Sequence, residues 1–217
     1  MTRSLNRAQI ADTLNTYNIQ LSDPQLGQVS IYVDLLLRWN RTLNLTTITD
    51  PKDIVERHFA ESMFAGTVEP VENCRLADLG TGAGFPGLAL KIFAPSLRLI
   101  LVESNKKKCA FLSEVARSIG FDDVLVLPTR FEDLTAEIEG LSLDHVTVRA
   151  VALDRDLLLA AKRFLRPGGH LMAWLGGDAT SDLSGRTDWL WQPPIRLPGS
   201  QRRFLMVGRV RPKEDAE

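Results

Sequence analysis

The residues with the clearest capacity for chemistry lie in one segment, Ala77-Asp78-Leu79-Gly80-Thr81-Gly82-Ala83-Gly84-Phe85-Pro86-Gly87, and in one acid downstream of it, Glu103. The segment follows a stretch that reads as a strand and opens one that reads as a helix, the setting in which a glycine loop carries ligand chemistry. Gly80 and Gly82 let the backbone turn sharply and approach a ligand where a side chain would collide. Glu103 ends the next strand, where a carboxylate accepts hydrogen bonds from two ribose hydroxyls. Together they imply a nucleoside-containing cofactor lying across the strand ends.

The same residues discriminate between cofactors. A dinucleotide fingerprint has glycine at the sixth position of G-x-G-x-x-G, but here Phe85 stands there and Gly84, one place earlier, gives G-x-G-x-G. Asp78, two residues before the first glycine, would repel a pyrophosphate but suits the ammonium or sulfonium end of S-adenosylmethionine (SAM). A nicotinamide-dependent oxidoreductase shares this kind of sheet, and Phe85 opposes it. A purely structural glycine turn is the other alternative, opposed by Asp78, Glu103 and the alternation of strands and helices.

That alternation is what must position the loop. From Arg75 onward the spacing predicts strands at Leu76–Leu79, Leu97–Val102, Val124–Leu127, Leu143–Val148 and His170–Leu175. Helices are predicted at Pro86–Phe93, Lys106–Ile119 and Asp154–Leu165, the last closed by Pro167-Gly168-Gly169. Parallel βαβ units and a doubly wound α/β sheet follow. Gly176–Gly185 reads as a polar loop, Arg203–Val210 as a last strand hairpinned to a neighbour near Trp189–Leu197, and Arg211–Glu217 as a frayed tail.

The first seventy residues read as helical. Asn6 caps a short helix with Ile10, Leu14 and Tyr17 on its apolar side. Ser22-Asp23-Pro24 opens a second, with Leu26, Val29, Val33, Leu36 and Leu37 at helical spacing up to Trp39. Asn44–Thr49 is a polar break, and Asp50-Pro51 starts a third helix carrying Ile54, Val55, His58, Phe59, Ser62 and Met63. The expected organisation is a helical part over residues 1–70 and a cofactor-binding core over residues 71–217, folded together as one unit.

Composition bounds the rest. At 217 residues the chain is roughly 1.4 times a typical domain, enough for a core without cross-links. Lys plus Arg total 26 against 27 Asp plus Glu, a net charge of −1, which excludes gripping nucleic acid by bulk positive charge. Cys74 and Cys109 form no C-x-x-C and no disulfide framework, which reads as a reducing compartment. Arg3, Asn6, Arg7, Gln9 and Asp12 interrupt any signal-peptide core, and no apolar run approaches the ~18 residues of a membrane span. A cytoplasmic protein without a metal site is the expectation.

At the glycine segment the chain resembles the RsmG (GidB) family, SAM-dependent methyltransferases that modify N7 of a guanine in small-subunit (16S) ribosomal RNA. The resemblance rests on Asp78-Leu-Gly-Thr-Gly-Ala-Gly-Phe-Pro-Gly87 and runs from about Leu21 to Val210. Upstream it takes in Trp39-Asn40, Asn44-Leu45-Thr46 and Arg57-His58 with Ser62. Downstream it takes in Leu101-Val102-Glu103-Ser104, Lys106-Lys107, Arg130-Phe131-Glu132, Arg149-Ala150 and Leu165-Arg166-Pro167-Gly168-Gly169. It implies a Rossmann-like class I SAM-methyltransferase sheet with a helical N-terminal extension, SAM as cofactor, and ribosomal RNA or the small ribosomal subunit as partner. The cofactor contacts it implies are Gly80, Phe85, Phe131, Glu132 and Arg149, with Glu103 as the ribose carboxylate. Phe131-Glu132 follows the third strand, where an adenine edge would meet an apolar surface and a polar acceptor. Two positions depart from the family: Val148 stands where Ser usually precedes the Arg-Ala pair, and Leu175-Gly176 where Lys-Gly is frequent.

Several residues carry two readings. Arg149 either reaches the cofactor carboxylate or an RNA phosphate, or pairs with Asp78 or Glu132. His58 either faces the substrate or is a helix-face histidine bonded to a neighbour. Lys106-Lys107-Lys108 is a solvated helix start or a phosphate contact. Between Trp189 and Lys213 stand six basic residues (Arg196, Arg202, Arg203, Arg209, Arg211, Lys213) and no acid, a candidate RNA footprint or the charged outer face of a hairpin. Guanine N7 has a lone pair and no proton to lose, so no catalytic base is expected. A non-catalytic RNA-binding or ribosome-assembly module is the remaining alternative.

Overall fold

Alternation along the central strands decides the layering. In β1 (Arg75–Leu79), Leu76 joins one hydrophobic cluster, while Ala77 and Leu79 join another on the opposite face. The computed structural model, which describes residues 5–134, 142–151, 153–177 and 188–211, therefore places helices on both faces of a single sheet. Apolar strands covered on both sides require this.

The other strands are β2 (Arg98–Val102), β3 (Val124–Leu127), β4 (Leu143–Arg149), β5 (Leu165–Gly176), β6 (Trp189–Trp191), β7 (Ile195–Arg196) and β8 (Arg203–Val210). The order is β3-β2-β1-β4-β5-β8-β6, with β7 also paired to β8. The first five are parallel; β8 runs antiparallel to β5, and β6 and β7 antiparallel to β8. The expected final hairpin is thus present, and its last strand is also inserted beside β5. Strand order reverses between β1 and β4, and such a switch point opens a crevice at the carboxyl ends of the strands.

In α1 (Arg7–Asn15) the Asn6 side chain accepts from the Gln9 N–H, and Gln9 reciprocates. The second helix, α2 (Asp23–Leu43), runs past Trp39 and stops where Asn44 turns left-handed at φ 47°. Nothing in Asn40-Arg41-Thr42 breaks a helix, so the end waits for a residue that tolerates that conformation. The single helix expected from Pro51 is three pieces: α3 (Pro51–Ile54), a π-helical turn over Val55–Ala60, and α4 (Glu61–Val68). The remaining helices are α5 (Gly87–Phe93), α6 (Lys106–Ser118), capped by Asn105, and α7 (Arg155–Phe164), capped by Asp154.

β5 begins at Leu165 and not at His170, so Pro167-Gly168-Gly169 lies inside the strand. After the Leu143–Leu165 pair the register jumps to His145–His170, so Arg166-Pro167-Gly168-Gly169 is a bulge with Gly168 at φ 78°. The stop signal ends α7 at Phe164, and continuous pairing starts at His170. Most of the expected Gly176–Gly185 loop and of the Arg211–Glu217 tail, including Lys213, lies outside the described residues.

Tyr32, Leu36, Phe59 and Met63 from the N-terminal helices share one buried cluster with Leu76 and Leu101 of the sheet and with Leu88 of α5 and Phe111 of α6. Among the described residues no helix is long and apolar enough to cross a membrane.

Candidate active site

The β-register sets Asp78 beside Thr147 of β4, on the face covered by the N-terminal helices. Its carboxylate is fully buried and engaged by the chain itself. One oxygen accepts from Thr81 Oγ1 (2.5 Å) and the Gly87 N–H (2.9 Å), the other from Thr147 Oγ1 (2.9 Å). Asp78 thus braces the glycine loop and the start of α5. Burial raises its pKa from 3.8 to about 6, against the bonds from Thr81, Gly87 and Thr147 and the charge of Arg149.

Glu103 and Gly82 are brought together. Glu103 Oε2 accepts from the Gly82 N–H (3.1 Å) and Oε1 from the Asn105 N–H (2.8 Å), which aims the carboxylate along the loop. Above them is a cleft of about 240 Å³, lined by Gly80, Val102, Glu103, Phe131, Glu132 and Val151 among others. Four expected cofactor residues therefore meet in one place. The cleft has two carboxylates and apolar walls, a set that suits a molecule with hydroxyl and amine donors and a flat purine.

Phe85 is placed elsewhere. It stacks on Tyr32 (centroids 5.1 Å apart, planes 5° apart) and on His58 (4.8 Å, 19°), with Phe59 edge-on at 5.0 Å. The aromatic ring anchors the loop to the N-terminal helices instead of lining the cleft. Tyr32 also donates its hydroxyl to the Ala83 carbonyl at 2.5 Å. Gly84 is required at this crossing: its φ is +92° and a Cβ would stand 2.2 Å from Tyr32 Oη.

His58 lies on the π-helical turn with Nε2 bonded to Thr46 Oγ1 at 2.8 Å. Burial, then the charges of Arg149 and Arg57, lower its pKa to about 3. The geometry is that of a neutral helix-face histidine bonded to a neighbour.

Arg149 pairs with neither Asp78 nor Glu132. Its Nη2 donates to Glu61 Oε2 (3.0 Å) and to the Arg57 carbonyl (2.5 Å), and its Nη1 to Ser62 Oγ (3.3 Å). The same carboxylate takes Arg203 Nε at 2.8 Å and Nη2 at 2.7 Å. Sequence reasoning missed Glu61 as the hub. Its only local signal is Arg57 at i−4, 3.9 Å away, while Arg149 and Arg203 are 88 and 142 positions distant.

The basic strip is consequently divided. Arg203 turns in to Glu61, whereas Arg196, Arg202, Arg209 and Arg211 are exposed. Lys106 and Lys107 are exposed on the first turn of α6, where Asn105 accepts from the Lys107 and Lys108 N–H groups. Val148 is core, and Leu175 lies against the Arg149–Arg203 group. Among the described residues no group of His, Cys, Asp or Glu is placed to hold a metal.

A doubly wound sheet with an acid-bearing cleft at its switch point is the architecture of class I SAM-dependent methyltransferases. Solved structures share that fold. A SAM-dependent methyltransferase from Aquifex aeolicus matches with a TM-score of 0.62 and 14% identity, over 77% of this chain and 97% of that one. The ribosomal protein L11 methylase of Lactobacillus delbrueckii matches at 0.57 and 15%, over 72% and 80%. Relatives in sequence are nearer. Proteins called ribosomal RNA small subunit methyltransferase G are 39% identical over 79% of this chain and 71% of theirs in Desulfitobacterium hafniense. In Xylella fastidiosa the values are 43%, 83% and 84%, and in Chloroflexus aggregans 35%, 95% and 90%. Residues 25–190 match the GidB family, rRNA small subunit methyltransferase G, and the chain belongs to that family.

Proposed function

We propose that this protein transfers a methyl group from SAM to N7 of a guanine in small-subunit (16S) ribosomal RNA, in the cytoplasm, on the RNA itself or on the small subunit. The observation that carries the reading is the joining of Glu103 to the Gly82 N–H beneath the cleft, in a chain of this family. When bound, SAM supplies an electrophilic sulfonium methyl. Glu103 would accept from the ribose hydroxyls, Phe131, Val102 and Val151 would supply the apolar surface for the purine, and Glu132 would accept from its amine. Asp78 places a negative charge under the loop, toward the cationic end of the donor.

The residues around the loop perform positioning. The Tyr32–Phe85–His58 stack fixes the loop against the N-terminal helices, so the donor is held in register with whatever those helices help dock. The same contacts support residues 1–70 and 71–217 as one folding unit. Guanine N7 attacks with a lone pair it already has, so alignment supplies the acceleration and no residue need remove a proton. His58, neutral and bonded to Thr46, fits a reaction without proton transfer.

The test is transfer of radiolabel from SAM to small-subunit RNA and to small subunits lacking the modification, with mass mapping of the labelled base. Label on guanine N7 is expected; no label, or label on another atom, refutes the reading. Binding of NAD(H) without SAM would favour an oxidoreductase instead.

A further inference from the structure

Next to the cofactor cleft, across the turn at Ala150-Val151, is a second concavity of about 180 Å³. Val151 lines the first and Ala150 the second, and Ala150 is held at φ 58°, a strained conformation for a non-glycine residue. The wall of the second is apolar: Trp174, Leu175 and Leu197. Its floor is ionic. Glu61 is only 1% exposed, yet Arg149 and Arg203, which bond to it, keep 17% and 33% of their side chains open. Trp174 Nε1 donates to the Glu61 carbonyl at 2.8 Å, tying the wall to the floor.

The charges do not cancel. Three guanidiniums (Arg57, Arg149, Arg203) stand around Glu61, and the buried Asp78 also acts on Arg149. Three positive charges against two negative leave a net positive floor that opens to solvent through Arg149 and Arg203. Such a site takes an anion with planar or tetrahedral oxygens. We propose that it receives a phosphate of the RNA backbone beside the acceptor nucleotide, and that Glu61 is the positioning residue holding Arg149 and Arg203 side by side for it.

This rests on the RNA-methyltransferase reading above, and the chemistry of that reaction favours phosphate over base. Methyl transfer moves a positive charge from sulfur onto the purine, so bare guanidiniums at the ring would oppose it. An arginine reading guanine also takes N7 together with O6, which would occupy the lone pair being methylated. A phosphate satisfies the floor and leaves N7 free. The carboxylate of the methyl donor offers the same anionic chemistry, and the experiment separates the two.

Affinity for unmethylated small subunits is measured by filter binding across a salt series, and SAM affinity by calorimetry, for the wild type, Arg203→Gln, Glu61→Gln and Glu61→Asp. Arg203→Gln removes a phosphate contact and keeps the Glu61 carboxylate paired with Arg149. It is expected to weaken RNA binding about tenfold, to lower the log–log salt slope by roughly one, and to leave SAM affinity within about twofold. Glu61→Gln should raise the KM for RNA more than it lowers kcat, with Glu61→Asp restoring most of the loss. A merely structural Glu61 would move melting temperature and SAM affinity together and leave the salt slope alone. Wild-type slope and affinity in Arg203→Gln overturn the proposal, as does lost SAM affinity with unchanged RNA binding. RNA binding is read independently of turnover, so a wild type that binds but does not methylate N7 refutes the proposed function and not the phosphate site.

Discussion

Replacing Asp78 by Asn should make the protein more stable at neutral pH and not at acid pH. Burial raises the folded pKa of Asp78 to about 6 from 3.8, so the folded chain holds that proton more tightly than the unfolded chain. Stability from this group is therefore full below the unfolded value and is lost as pH rises through the folded one. Above about pH 6 the ionised carboxylate costs about 3 kcal/mol, since each pH unit between the folded and unfolded values corresponds to roughly 1.36 kcal/mol. No solvent screens it, because the residue is fully buried.

Asn removes that cost but is a poorer acceptor for Thr81, Gly87 and Thr147, a loss of about 1 kcal/mol. The net gain near pH 7.5 is then about 2 kcal/mol, or roughly 4–8 °C in melting temperature for a chain of this size. By about pH 4.5 the two proteins should melt together. His58 works in the opposite sense: its folded pKa is lowered to about 3, so its contribution is present above the unfolded value of 6.5 and falls away on acidification. It is common to both proteins and cancels in their difference. Melts followed by circular dichroism at several pH values between about 4.5 and 7.5 measure the gap. A gap that does not change with pH, or a variant less stable throughout, refutes the argument that Asp78 is held ionised at a cost for the sake of its charge.

Glu103→Ala should weaken SAM binding at least tenfold in calorimetry with the fold retained, since charge-assisted bonds are worth about 1.5–3 kcal/mol each; unchanged affinity removes Glu103 from the site. Single-turnover transfer at saturating SAM and RNA should be nearly flat between about pH 6.5 and 8.5, because general acid–base steps worth ~10²–10⁴-fold are absent. In the same assay His58→Gln should cost less than ~10-fold, and a steep pH dependence abolished by that change would show that a proton is being moved. Gly84→Ala should lower stability by more than about 2 kcal/mol in urea titration, from the clash with Tyr32 Oη and the positive φ together; a neutral result would mean that α2 does not press on the loop as described.

What the sequence determined by itself was everything set by near neighbours. The helix starts at Asn6, Ser22 and Asp50 are local backbone chemistry, as is the turn at Gly80-Thr81-Gly82. The alternation of apolar strands with helices needs only periodicity, and it led to the sheet, the loop after β1 and the acid after β2. Glu103 could be assigned to the cleft because a residue at a parallel strand's carboxyl end has few other places to be. Phe131 and Glu132 came from the family resemblance, and the structure puts them in the same cleft after the next strand.

Only the tertiary structure decided which partner each polar or aromatic side chain would take. Asp78 looked free to meet a cation until the β1–β4 register set Thr147 beside it and α5 delivered the Gly87 N–H. Phe85 looked like a pocket wall until α2 and the π-helical turn closed on its two faces. Arg149 had several acids to choose from along the chain, and the one it met was Glu61, carried to the end of β4 by a helix 88 positions away and shared there with Arg203 from an inserted antiparallel strand. A backbone conformation is set residue by residue, so neighbours reveal it. A buried ion pair exists only where packing excludes water and brings distant segments within about 3 Å, and no local pattern encodes that distance.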